Sequence, residues 1–119
     1  MKKIEFDEMI ERLTTATEQQ KLKWAIDSTD ETVYYTSVNN CRIEVSTYYD
    51  ASAVSNKASI ELFNTSGDSF KKRVFSEKAK PDRYNQINDL YEVINDSYYR
   101  IKESESLILE GLREMTDEQ

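Results

Sequence analysis

The sequence predicts an α+β fold: an N-terminal helix, a five-stranded antiparallel meander, and a long C-terminal helix packed on one sheet face. Three observations predict it. Helical spacing of apolar residues occupies the two ends of the chain. Period-two alternation fills the middle, broken at short intervals by polar turns. The only proline, Pro81, separates the last strand pattern from the last helix pattern. At 119 residues the chain is one domain's worth, with no internal repeat.

The first helix is expected over residues 4–20. Phe6, Met9, Ile10, Leu13 and Ala16 fall on one stripe, with Glu5, Glu8, Glu11 and Arg12 opposite. Asp7 and Glu8 near its start suit the helix dipole. The sheet is expected over residues 21–76. Leu22, Trp24 and Ile26 alternate with Lys21, Lys23 and Asp27, and Trp24 anchors the helix-facing side because a tryptophan buries on the order of 200 Å². Val33 to Val38 is a second strand rich in β-formers. Asn39-Asn40 reads as a two-residue hairpin turn, since Asn tolerates positive φ. Cys41, Ile43, Val45, Thr47 and Tyr49 alternate with Arg42, Glu44, Ser46 and Tyr48, the clearest strand pattern in the chain. Asp50 to Asn56 reads as a polar loop, Ala58, Ile60 and Leu62 as the inward face of a fourth strand, Thr65 to Asp68 as a turn, and Phe70 to Phe75 as a fifth strand. A linker over 78–82 ends in Pro81 and Asp82, a helix-start signal.

The last helix is expected over residues 83–115. Ile87, Tyr91, Ile94, Tyr98, Ile101, Ile108, Leu112 and Met115 recur at alternating spacings of three and four, interrupted only by Glu105. At 1.5 Å per residue it spans about 48 Å. Five strands at about 4.8 Å make a sheet about 24 Å across. About half of the helix therefore overhangs the sheet, and its apolar residues need cover. Either the N-terminal helix supplies it or a second copy of the chain does, and the dimer is the expectation adopted. The expected dimer or partner interface is Tyr98, Tyr99, Ile101, Ile108, Leu112 and Met115.

Composition excludes much chemistry. There is no histidine, which removes Ser-His-Asp, Cys-His and His-metal arrangements. One cysteine, Cys41, builds neither a zinc site nor an internal disulfide, and fits a reducing cytoplasm. The isolated glycines Gly67 and Gly111 form no phosphate-binding loop. No Asp or Glu stands two residues before a Lys, so the acid-x-Lys nuclease pattern is missing. The expectation is a non-enzymatic protein without cofactor or metal. A formal net charge of −7 disfavours direct DNA binding. No apolar run approaches the ~18 residues of a membrane span, and acidic residues follow Lys2-Lys3 too soon for a signal peptide.

Three surface features remain. Lys71, Lys72, Arg73, Lys78, Lys80 and Arg83 form the one local excess of positive charge; with Tyr84 they could hold a phosphate-bearing ligand, or the lysines could simply guard an edge strand. Eight tyrosines include the pairs Tyr34–Tyr35, Tyr48–Tyr49 and Tyr98–Tyr99, of which Tyr48 and Tyr99 should point outward, with Tyr34 as a third candidate. Glu92, Asp96, Glu103, Glu105, Glu110, Glu114, Asp117 and Glu118 make an acidic helix surface suited to solvent or to a basic partner.

Lys21-Leu22-Lys23-Trp24, Ser66-Gly67-Asp68 and Leu90-Tyr91 carry a loose resemblance to a group of small uncharacterised bacterial and phage α+β proteins. The resemblance implies the fold and a bacterial or phage source. The functional expectation is a cytoplasmic homodimer that inhibits or regulates a host defence protein by occupying it. The alternative is a small-ligand binder that sequesters a nucleotide-type signal at a basic, tyrosine-lined site near the dimer interface.

Overall fold

The computed structural model describes residues 2–117, apart from the side chain of Lys102. Its elements run α1 (Lys3–Glu18), β1 (Ala25–Ile26), β2 (Val33–Val38), β3 (Cys41–Asp50), β4 (Ser55–Phe63), β5 (Ser69–Ser76) and α2 (Pro81–Asp117). The five strands form one antiparallel meander in the order β1-β2-β3-β4-β5. Both helices lie on one face of it, and the expected α+β architecture is present.

The turns follow from local chemistry. Asn39 and Asn40 both take positive φ, 51° and 63°, so the β2–β3 hairpin closes in two residues. Gly67 at φ 87° turns the chain between β4 and β5, where the Asn64 side chain accepts from the amides of Ser66 and Asp68.

β1 is much shorter than the alternation over Lys21–Asp27 suggests. Only Ala25 and Ile26 pair with β2. Upstream, side chains replace the ladder. The Thr36 hydroxyl donates to the Lys23 carbonyl at 2.8 Å, and the Trp24 indole donates to the Thr17 hydroxyl at 2.9 Å. Trp24 is buried as expected, but α1 fixes it as much as the sheet does.

The core lies between the helix pair and the sheet. Phe6, Ile10 and Leu13 come from α1; Tyr34, Ile43, Val45, Ala58, Ile60 and Leu62 from the sheet; Tyr84, Ile87, Leu90 and Ile94 from α2. Burying such side chains supplies roughly 1.5–3 kcal/mol each against leaving them wet. The opposite sheet face is polar, carrying Glu44, Ser46, Lys57, Ser59, Glu61 and Lys72, as an antiparallel sheet solvated on one side allows.

The helices run parallel. Near their starts, Arg83 of α2 donates to Asp7 of α1 at 2.6 Å. Near the end of α1, Thr17 and Glu18 share a shallow recess with Val93, Ser97 and Arg100 of α2. α1 stops there, while α2 continues from residue 101 to Asp117, about 25 Å further. This continuation stretches the molecule to 61 Å along its longest axis, against 35 and 25 Å across.

Candidate binding surfaces

α2 changes character along its length. Ile87, Leu90 and Ile94 are 0–1% exposed. Beyond Arg100 the stripe faces solvent from Ile108 on: Ile108 and Leu112 are half exposed or more and Met115 is 77% exposed, with Leu107 and Leu109 exposed beside them. Within one chain, then, α1 does not cover the overhang. Of the six residues expected at an interface, Tyr99, Ile108, Leu112 and Met115 are exposed and Ile101 is half-buried. Tyr98 is placed differently. It packs on the core, its ring 5.5 Å from that of Tyr34.

The tyrosines divide accordingly. Tyr34 does not point outward. It is buried against Tyr91 at 5.3 Å and Tyr98, and its hydroxyl donates to the Asn95 side chain. Burial pushes the Tyr34 hydroxyl well above the ordinary tyrosine range, and those of Tyr91 and Tyr84 upward. Tyr48 and Tyr99 are exposed as expected. Tyr49 is exposed too, although it alternates onto the helix side.

The predicted basic cluster is split. In β5, Lys71 pairs with Leu62 and Arg73 with Ile60, which puts both on the helix-facing side; Lys72 pairs with Glu61 on the other. Lys72 there reaches the Glu61 carboxylate at 3.8 Å. Lys78 and Lys80 stand exposed in the β5–α2 connection, and Tyr84 is in the core rather than beside a ligand. The residues that do meet are Lys71, Arg73 and Arg83, joined by Lys2 and Lys3 from the start of α1. They line a recess of about 310 Å³ floored by Phe6 and Phe75. The two rings meet edge to face with centroids 6.5 Å apart. Sequence reading missed Lys2 and Lys3 here, because only the parallel helix pairing brings them to β5.

No family model, curated protein or solved structure matches the chain. The surfaces must therefore be read from their own chemistry.

One more surface was not foreseen. An open groove of about 480 Å³ runs between α1 and the end of the sheet that carries the β2–β3 and β4–β5 turns. Its walls are apolar: Met9 and Leu13 from α1, Leu22, then Val38, Ile43, Leu62 and Phe70 from the sheet, with the Cys41 thiol among them. The charged residues in its lining are Arg12, Lys21 and Arg42, of which Arg12 is paired with Glu8 and Arg42 with Asp27 and Glu44. Phe70 is 59% exposed and Val38 41%. Among the described residues, no group of three or more His, Cys, Asp or Glu comes together to hold a metal, and no helix is long and apolar enough to cross a membrane.

Proposed function

We propose that the protein is a non-enzymatic binding protein that acts as a homodimer, built by seating the α2 overhang of each copy in the apolar groove of the other. The observation that supports this reading is that one chain carries both halves of a contact. The overhang presents an unburied apolar stripe, Ile108, Leu112 and Met115, with Leu107 and Leu109 beside it. The groove offers apolar walls of matching character. One charge complements the contact: Lys21 in the groove has no carboxylate within 4 Å among the described residues and can meet Glu103, Glu110 or Glu114 beside the stripe, whereas Arg12 already holds Glu8 and Arg42 holds Asp27 and Glu44. Each copy donates one helix and accepts one, so the contact closes as a two-fold dimer without leaving a free end. Exposed apolar patches of this extent mark interaction sites rather than ordinary surface. The dimer would work by occupying its target.

Light scattering coupled to size exclusion should give twice the 14.0 kDa chain mass. Ile108→Glu with Leu112→Glu should give a monomer with an unchanged sheet signal. A native protein that stays monomeric at micromolar concentration overturns the dimer. The mode of pairing is read by disulfide trapping, because Cys41 is the only native thiol and lies in the groove. With Leu112→Cys, oxidation should link Cys41 of one copy to the introduced thiol of the other. Links solely between two introduced thiols would show that the overhangs pair with each other instead.

A further inference from the structure

We infer that the recess between the start of α1, β5 and the start of α2 is a binding site for a small phosphate-bearing molecule. Five cationic side chains, Lys2, Lys3, Lys71, Arg73 and Arg83, line one concavity of about 310 Å³ in a chain of net charge −7. That volume suits a ligand from pyrophosphate up to a mononucleotide, by comparison with the ~300 Å³ lower end of ordinary ligand pockets.

The grouping is not explained by folding alone. Lysines on β5, an edge strand, discourage sheet-to-sheet pairing, and this accounts for Lys71 and Lys72. It does not account for Lys2, Lys3 and Arg83 arriving at the same place from elements far apart in sequence. Their positions are electrostatically adverse as well. Lys2 is the N-cap of α1 and Lys3 its first residue, where the helix dipole disfavours positive charge. Arg83 lies in the first turn of α2. Because the helices run parallel, their positive ends face the recess together. Lys2 makes no side-chain cap, so the first amides of α1 are left to other acceptors.

Compensation within the chain is small. Arg83 has the Asp7 carboxylate at 2.6 Å and the Gln86 carbonyl oxygen at 2.7 Å. Among the described residues, Lys2, Lys3, Lys71 and Arg73 have no carboxylate within 4 Å. Asp7 responds to this surplus. Hydrogen bonds from Gln86 and Arg83 hold its carboxyl below the usual range, and the charges of Arg83 and Lys3 act in the same direction. A phosphate dianion supplies the acceptors that four of the five cations lack, and Arg73 offers it a planar fork. The recess shares no lining residue with the groove, although Lys71 follows Phe70 directly, and Arg83 precedes the overhang by 18 residues, about 27 Å along the α2 axis.

The test is isothermal titration of the full chain with inorganic pyrophosphate at low and at near-physiological salt, with AMP and inorganic phosphate as further probes. Saturable one-to-one binding of pyrophosphate per chain, weakened by salt, is the expected result. Lys71→Gln with Arg73→Gln should weaken it at least tenfold. Lys3→Gln, on an exposed side chain, gives a second reading should the double variant fold poorly. Lys72→Gln, on the opposite sheet face, should leave it unchanged. AMP binding more tightly than inorganic phosphate would identify a nucleotide ligand; equal affinity would identify the phosphoryl group alone as the feature recognised. No saturable binding of any probe, or equal losses in the Lys72 and Lys71/Arg73 variants, overturns the site. The dimer is unaffected by either result, since light scattering reads it separately.

Discussion

The indole Nε1 of Trp24 donates a 2.9 Å hydrogen bond to the hydroxyl of Thr17, which in turn donates to the Leu13 carbonyl at 2.7 Å. Trp24 and Thr17 are both buried, so this short relay joins the chain before β1 to the last turn of α1 inside the core. Thr17→Val keeps the shape and removes the acceptor, leaving a buried N–H without a partner. The expected loss is about 1–3 kcal/mol. Thr17→Ser keeps the hydroxyl and should lose less. Urea melts followed by the fluorescence of this single tryptophan measure both.

Acid should loosen the helix pair. Hydrogen bonds from Gln86 and Arg83 hold the Asp7 carboxyl below its usual range, bonds from Thr29 do so for Asp27, bonds from Thr32 for Asp30, and Lys57 and Ser52 for Asp50. A carboxyl depressed in the folded state adds stability above its unfolded pKa, about 3.9 for aspartate, and loses it as pH falls further. Melting temperature should therefore hold steady near neutrality and drop below about pH 4. Asp7→Asn should flatten part of that drop while lowering the neutral-pH value.

Alkali acts through the tyrosines. Burial raises the hydroxyls of Tyr34, Tyr91 and Tyr84, so the folded chain keeps protons that the unfolded chain releases above about pH 10. Stability is then lost as pH rises past that value. The phenolate absorbance of the native chain should lag behind that of the urea-unfolded chain across the same range. Coincident curves would contradict the buried placement of these three rings.

Val54 holds a backbone φ of 49° in the β3–β4 turn, with its side chain 57% exposed. A β-branched residue is strained there and glycine is not. Val54→Gly should stabilise the chain by about 1 kcal/mol and raise the melting temperature by several degrees. Gly67→Ala, at φ 87° in the next turn, should shift it the other way by a similar amount.

Much of this architecture could be read in advance because the decisive signals are local. The alternation of Cys41 to Tyr49, the Asn39-Asn40 turn and the stripe from Ile87 onward each need only neighbouring residues. Some errors were avoidable. Period two separates Lys72 from Lys71 and Arg73, and Tyr84 stands three residues before Ile87 on the same helix face, which marks it as core. Other features had no local signature. Lys3 and Arg73 meet only because α1 and α2 run parallel and start at the same end of the sheet, an arrangement held in part by Asp7 and Arg83, 76 positions apart. The shortness of β1 was equally hidden, because its ladder gives way to side-chain bonds from Thr36 and Trp24.

The proposed dimer would give this molecule a dependence on its own abundance. Residues 101–117 are helical, yet in a lone chain most of their apolar side chains are exposed, with Gly111 weakening the run. Most helical stability in proteins comes from packing an amphipathic face, which this segment lacks in a lone chain. Amides in this segment should exchange with solvent orders of magnitude faster than those of Ile87 to Ile94 in dilute samples, and slow as concentration rises. On the proposed dimer, the first half of α2 folds with the domain and the second half winds and unwinds with the number of copies nearby, so that crowding of the protein would be written into the length of its last helix.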